Sequence, residues 1–242
     1  MKAVSGNRRS RESGQAAVEA ALTLPLTLFL VLGSIQLMMM MQGRAMAQYA
    51  VARATRAGSL KSGECAAMLH TAIAAVLPTF TRTRDANELA DAFFARRSGR
   101  FSFNEDSGRN ETILWLDRVS PTQGQLKNEE ERFDLGSNNP RTLIVKMTFW
   151  YPLRVPFANW VVSTMLLAHY GLQNTKSNPL MLAEKNPEWM ENASLSGPIA
   201  AELQLRHSRS HYSLPIEVSY SMRMMTPARP ANFKTPICAP YP

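Results

Sequence analysis

Two residues near the start of the chain have types and a spacing that could carry chemistry: Gly14 and, five positions later, Glu19. Glu19 lies just before residues 22–41, which contain no formal charge. A carboxylate at the edge of such an apolar stretch is costly to bury, so it usually has a partner or a task. A basic tail at residues 8–11 precedes the glycine. This arrangement of tail, glycine, glutamate and apolar stretch carries most of what the sequence indicates about function.

The apolar stretch predicts a transmembrane helix. About twenty apolar residues in a helix span the roughly 30 Å hydrocarbon core of a bilayer, and a helix satisfies its own backbone hydrogen bonds. Leu22 and Met41 are the ends of the predicted span, and Pro25 and Gly33 lie inside it. Both residue types are commonly tolerated in spans. The basic tail favours an N-terminus on the cytoplasmic side.

Residues 11–26, Arg-Glu-Ser-Gly-Gln-Ala-Ala-Val-Glu-Ala-Ala-Leu-Thr-Leu-Pro-Leu, resemble the N-terminus of the TadE-like proteins. These are minor pilins or pseudopilins of the tight-adherence (Tad) branch of type IV pilus systems. The resemblance implies that a prepilin peptidase cuts between Gly14 and Gln15. It also implies that Glu19, then the fifth residue, pairs with the N-terminal amine of a neighbouring subunit. Family members often have an aromatic residue after the glutamate, where this chain has Ala20.

Beyond the span, the sequence predicts an α+β fold with an antiparallel sheet. The helix should continue through residues 42–57, which are rich in good helix formers, and stop at Gly58. The other predicted elements are helices at 64–78 and 85–97, strands at 112–119, 142–151 and 216–224, and an apolar helix at 160–170, packed on the sheet or lying near the membrane surface.

These elements predict three segments. Residues 1–14 form a disordered cytoplasmic leader peptide, and residues 15–58 form the transmembrane and projecting helix. Residues 59–242 form an extracytoplasmic α+β domain. Within that domain, we expect residues 171–198 to be a long loop with a little helix near Glu188, and residues 226–242 to be an extended tail.

The cysteine and charge content narrows the possible functions. Cys65 and Cys238 are the only two cysteines, and neither belongs to a metal-binding pattern. In an oxidising compartment they are candidates for a disulfide, the alternative being two buried thiols. The net charge is +8, but the basic residues beyond the tail are dispersed. We therefore predict a solvated basic surface and no nucleic-acid partner.

The sequence contains no recognisable catalytic motif, so we predict no enzymatic activity and no cofactor. His207 and His211 have the i, i+4 spacing of helical metal ligands. The stretch around them is basic and lacks carboxylates, so we predict no metal site there.

Taken with the resemblance, these observations predict a membrane-anchored minor pilin or pseudopilin, a structural component of a Tad-type pilus or a related secretion fibre. Its expected partners are prepilin peptidase, other pilin-like subunits, the inner-membrane assembly platform and membrane lipid. The expected location is the bacterial inner membrane, crossed once, with the N-terminus cytoplasmic and the C-terminal domain periplasmic.

Two alternatives remain open at this point. The chain could be an uncleaved single-span envelope protein with an extracytoplasmic binding domain. The N-terminus could also be a secretory signal peptide cut after Ala47, although its apolar region is longer than such peptides usually have.

Overall fold

The computed structural model describes residues 9–81, 84–101, 111–126, 142–172 and 195–238. Its helices are α1 (Arg9–Leu60), α2 (Cys65–Val76), α3 (Ala86–Arg96), α4 (Ala158–His169) and α5 (Gly197–Ser208). Its strands are β1 (Arg100–Phe101), β2 (Glu111–Thr112), β3 (Leu114–Ser120), β4 (Thr142–Pro152) and β5 (Ser213–Arg223). The predicted layout, an apolar N-terminal helix followed by an α+β domain, is confirmed.

A three-stranded antiparallel sheet in the order β3–β4–β5 forms the centre of the domain. β4 is the middle strand, paired with β3 on one side and β5 on the other. Residues 143–146 alternate between buried and half-buried, whereas every residue from Met147 to Pro152 is buried. β1 and β2 form a separate two-residue ladder.

Helices cover the sheet on both faces. On one face, Leu143, Val145, Met147 and Phe149 pack with the apolar sides of α1 and α2 in the larger core. On the other face, Trp150 and Trp115 meet edge to face, with ring centroids 5.1 Å apart. These two rings form a smaller core with residues of α4 and α5. This second core explains why the end of β4 is buried on both sides.

Several predicted boundaries were wrong. α1 does not stop at Gly58 but ends at Leu60, and it begins at Arg9, within the leader predicted to be disordered. The first predicted strand is divided, since β2 ends at Thr112 and β3 begins at Leu114.

The regions predicted to be loop or extended tail also contain helical structure. α5 begins at Gly197, inside the predicted loop, and the tail contains a 3-10 turn at Pro230–Phe233. The helix expected near Glu188 lies outside the described residues. α3 forms, but it buries none of its residues fully.

Candidate membrane-anchoring and assembly helix

Residues 17–35, in the N-terminal half of α1, are not buried by the folded chain, and we call them the uncovered half. The next residue, Gln36, is buried. Among the described residues, Ala17–Leu60 is the one helix long and apolar enough to cross a membrane, and 6% of its most apolar window is buried. Residues 17–35 would be about 28 Å long at 1.5 Å per residue. The uncovered length therefore matches the thickness of a bilayer core.

The residues predicted to act in processing and assembly lie near the N-terminal end of α1, and of these Glu19 belongs to the uncovered half. The Gly14–Gln15 peptide bond lies within the first turns of α1, and Glu19 follows one turn later with its side chain exposed. Within the described part of the chain, no hydrogen bond or ion pair of the Glu19 carboxylate is found. Its backbone carbonyl accepts a hydrogen bond from the Thr23 hydroxyl at 2.9 Å. The carboxylate is thus presented on the helix surface.

The predicted span extends past the point where α1 reaches the domain. Leu22, Pro25 and Gly33 belong to the uncovered half, and Pro25 is accommodated inside an unbroken helix. Met41 lies beyond Gln36 and is exposed, so it belongs to the half that runs along the domain.

Gln36 is the border between the two halves of α1. It is fully buried, and its side-chain oxygen accepts a hydrogen bond from the backbone N–H of Val155 at 3.0 Å. One contact with the domain lies closer to the N-terminal end of the helix than Gln36 does. The ring of Phe29 meets that of Phe157 edge to face at 5.8 Å. Phe157 has a φ of 66°, a backbone conformation rarely adopted by bulky residues.

The C-terminal half of α1 is held against the sheet by small residues. Ala47, Ala50 and Ala54 are completely buried. A Cβ atom at Gly43 would lie 2.5 Å from the Tyr151 ring. At Gly58, it would lie 2.4 Å from the Met68 sulfur and 2.8 Å from a Leu143 methyl group. The alanine-rich composition of residues 42–57 therefore allows close approach of the helix to β4 and α2.

The end of α1 is also tied to the C-terminal segment. Cys65, the first residue of α2, forms a disulfide with Cys238. Nearby, the buried Arg118 guanidinium donates to the carbonyl oxygens of Gly63, Asn232 and Thr235, the first at 2.9 Å. Burial lowers the pKa of Arg118. We call this set of contacts the tail clasp.

A second buried cation lies between α5 and the sheet. Arg206 donates to the Glu202 carboxylate at 2.7 Å and to the Thr112 carbonyl at 2.8 Å, and its guanidinium lies 4.4 Å from the centre of the Trp150 ring. Glu111 is 3.6 Å from Arg206. Burial lowers the pKa of Arg206, while the two carboxylates act in the opposite direction. A hydrogen-bonded cation between two carboxylates is a structural arrangement that fixes α5 in place.

The two histidines considered as metal ligands have different partners. The Nδ1 atom of His207 is 2.9 Å from the Ser163 hydroxyl on α4, and burial lowers the pKa of His207. The Nδ1 atom of His211 is 2.8 Å from Glu111. Among the described residues, no group of three or more His, Cys, Asp or Glu side chains could hold a metal ion. His207 instead connects α5 to α4, and His211 connects the turn after α5 to β2.

Sequence reasoning missed α5 and the contacts of Phe157. A signal for α5 was present, because Ile199, Leu203 and Arg206 follow one another at intervals of four and three behind Pro198. The contact between Phe29 and Phe157 had no local signal, because it joins residues far apart in the chain.

A protein-family model matches the N-terminal part of the chain. Residues 14–56 match the family of the TadE-like protein. Neither a curated protein nor a solved structure matches the chain. The resemblance drawn from residues 11–26 is confirmed. The matched segment continues along the C-terminal half of α1, which lies against the sheet and which we call the docked half. Residues 14–56 are therefore a TadE-like segment, and this segment suggests a protein associated with a Tad pilus.

Proposed function

We propose that this chain is a minor pilin or pseudopilin, anchored in the membrane and used in assembling a Tad-type pilus or a related secretion fibre. The observation that carries the proposal is the uncovered half of α1. None of residues 17–35 is buried, they contain a single charged residue, Glu19, and they lie inside the segment that matches the TadE-like family. A helix of this kind suits a bilayer before assembly and the helices of neighbouring subunits afterwards.

Electrostatics gives Glu19 a specific task in this proposal. Cleavage after Gly14 would expose the amine of Gln15. A carboxylate and an ammonium attract strongly where the dielectric constant is low, and each offsets the cost of burying the other. Because Glu19 is exposed on α1, its carboxylate can meet the amine of a neighbouring subunit. We therefore assign Glu19 to subunit pairing.

The proposed orientation places the N-terminus in the cytoplasm and the domain in the periplasm. The basic tail supports it, and so does the disulfide between Cys65 and Cys238, which suits an oxidising compartment. A reporter that is active only in the cytoplasm should be silent when fused after Pro242. Strong reporter activity would contradict this orientation.

The first experiment tests processing. Mass spectrometry of the purified protein should find a mature N-terminus at Gln15. Gly14→Arg should leave the full-length precursor, because a long charged side chain beside the bond does not fit a site that accepts a glycine. An intact N-terminus on the wild-type protein would favour an uncleaved envelope protein with a binding domain.

The second experiment tests pairing. Glu19→Ala removes the carboxylate and leaves the helix at least as apolar, so the protein should still be cleaved and should accumulate in the membrane. It should, however, be absent from sheared pilus fractions. Thr23→Val is the matched control, because it removes a polar group one turn away whose hydroxyl bonds only within the helix. Normal incorporation of Glu19→Ala at wild-type protein levels would overturn the assignment.

A further inference from the structure

α4 exposes large apolar side chains although it belongs to the folded domain. Ala158, Ser163 and Leu167 are its buried residues. Its exposed residues are Trp160, which is 42% exposed, Met165, which is 63% exposed, and His169. No Asp, Glu, Lys or Arg occurs anywhere in α4. An apolar helix is normally buried, whereas a helix at a water-facing surface normally carries a polar stripe.

The turn before α4 contacts the uncovered half of α1. Phe157 is 56% exposed, and its ring contacts the ring of Phe29. Phe29 lies seven residues before Gln36, so it is about 10 Å closer to the N-terminal end of the helix at 1.5 Å per residue. A ring that contacts Phe29 therefore lies on the N-terminal side of the border at Gln36.

We propose that α4 and its preceding turn lie on the membrane surface, with Phe157 and Trp160 inserted among lipid acyl chains. This rests on the proposed membrane anchor, because it requires residues 17–35 to be in the bilayer. Interfacial helices bury their apolar face about 5–10 Å into the boundary between headgroups and acyl chains. The depth of Phe157 agrees with that range, and Trp is enriched at membrane interfaces.

Lipid fits this face better than a second copy of the chain does. The position of Phe157 is fixed by its contact with the helix that crosses the bilayer, so the surrounding medium at that depth is lipid. Residues 152–172 contain no Asp or Glu and one Arg, the exposed Arg154. A segment of this composition is compatible with anionic lipid headgroups, which attract basic side chains.

Trp160 is a natural probe of the proposed contact. Trp115 and Trp150 are buried, and Trp189 can be replaced by Phe in every sample. The full-length protein would be reconstituted in vesicles of phosphatidylcholine and phosphatidylglycerol, with and without brominated acyl chains. Subtracting the signal of the Trp160→Phe variant gives the fluorescence of Trp160. We expect brominated lipid to remove most of this fluorescence and iodide in the water to remove little.

Two outcomes would overturn the proposal. In one, iodide quenches Trp160 and brominated lipid does not, which would place α4 in water. In the other, Trp160 is shielded from both quenchers and becomes accessible when the protein is diluted in lipid, which would show a second copy covering the face. Met165→Glu should reduce quenching by brominated lipid, whereas Met165→Leu, its uncharged control, should not.

A probe in the anchor separates failure of this proposal from failure of the proposed function. Leu24 is 62% exposed on the uncovered half of α1. Leu24→Trp, combined with Trp160→Phe, should be quenched by brominated lipid. Quenching there without quenching at Trp160 would overturn the surface contact alone. Absence of quenching at both positions would overturn the anchor and the surface contact together.

Discussion

The two halves of α1 share one continuous helix and have opposite surroundings. Residues 17–35 are uncovered and carry large apolar side chains on all sides. Beyond Gln36, the helix buries one narrow face, where glycine and alanine recur at intervals of three and four residues from Gly43 to Gly58. The large side chains of the first half suit a lipid environment. The small residues of the second half allow the backbone to approach a sheet.

This difference shows that hydropathy and side-chain size report separate properties. Hydropathy predicts a span that runs to Met41, but the domain already contacts α1 at Gln36. The positions of the small residues mark where the helix has a protein partner, because a larger residue there would collide with the sheet. Four changes test this difference between the two halves, from the largest expected effect to the smallest.

The largest expected effect comes from releasing the domain that holds the docked half. Replacing both Cys65 and Cys238 by Ser should lower the free energy of unfolding by about 2–5 kcal/mol. Urea titration followed by the near-ultraviolet circular dichroism of Trp115 and Trp150 would measure it. Membrane insertion should be unchanged, because the uncovered half is not altered. An unchanged urea midpoint would show that the tail clasp holds without its disulfide.

A charge distinguishes the environments of the two halves. Leu26→Lys places a cation in the uncovered half and should disfavour membrane insertion by about 3 kcal/mol. Ala45→Lys is the matched change, at an exposed position on the docked half, and should insert normally. Extraction of membranes with alkaline carbonate would measure the inserted fraction. Equal insertion of the two variants would contradict the assignment of residues 17–35 to the bilayer.

Adding one methyl group compares the packing of the halves. Gly43→Ala should lower stability by roughly 1–3 kcal/mol, because its Cβ atom would collide with the Tyr151 ring. Gly33→Ala adds the same methyl group where no atom lies within 4 Å. It should be neutral or slightly stabilising, since Ala favours a helix more than Gly does. Thermal unfolding of both variants provides the test, and equal losses would show that the two glycines have similar surroundings.

The smallest expected effect concerns the border itself. Gln36→Leu removes the acceptor of the Val155 N–H and should lower stability by about 1 kcal/mol. Gln42→Leu is the control, because Gln42 is exposed on the docked half. Hydrogen exchange at Val155 would report the loss directly. Unchanged protection of that amide in Gln36→Leu would show that the hydrogen bond from Val155 does not hold α1 to the domain at Gln36.

The sequence predicted those elements whose signal is local. A run of apolar residues is sufficient to identify the uncovered half of α1, and alternation from Leu143 to Tyr151 is sufficient to identify β4. The structure also joins Cys65 to Cys238, the only cysteines the chain has to pair. In each case, the residues that carry the pattern are close in sequence or chemically unique.

The sequence did not predict features whose cause is remote. Arg206, Glu202 and His207 look like a solvated helix surface, but Arg206 is buried because Glu111 and Thr112, about ninety residues earlier, supply acceptors. Gly58 looks like a helix stop, yet α1 continues to Leu60, and the missing side chain leaves room for Met68. Such positions are decided by tertiary packing, which overrides local preference.

The pairing of α1 with the end of the domain has a consequence for folding. The carbonyl of Ser59 accepts hydrogen bonds from the backbone of Met225 and Thr226, and β5 is the edge strand beside α1. α2 follows α1 directly and can cover part of its docked face, but the rest of that face waits for β4, β5 and residues synthesised more than 150 positions later. Contacts so distant in sequence slow folding. We therefore expect the nascent chain to leave part of this alanine-lined face exposed until β5 has been synthesised, as a binding site for chaperones that recognise apolar segments.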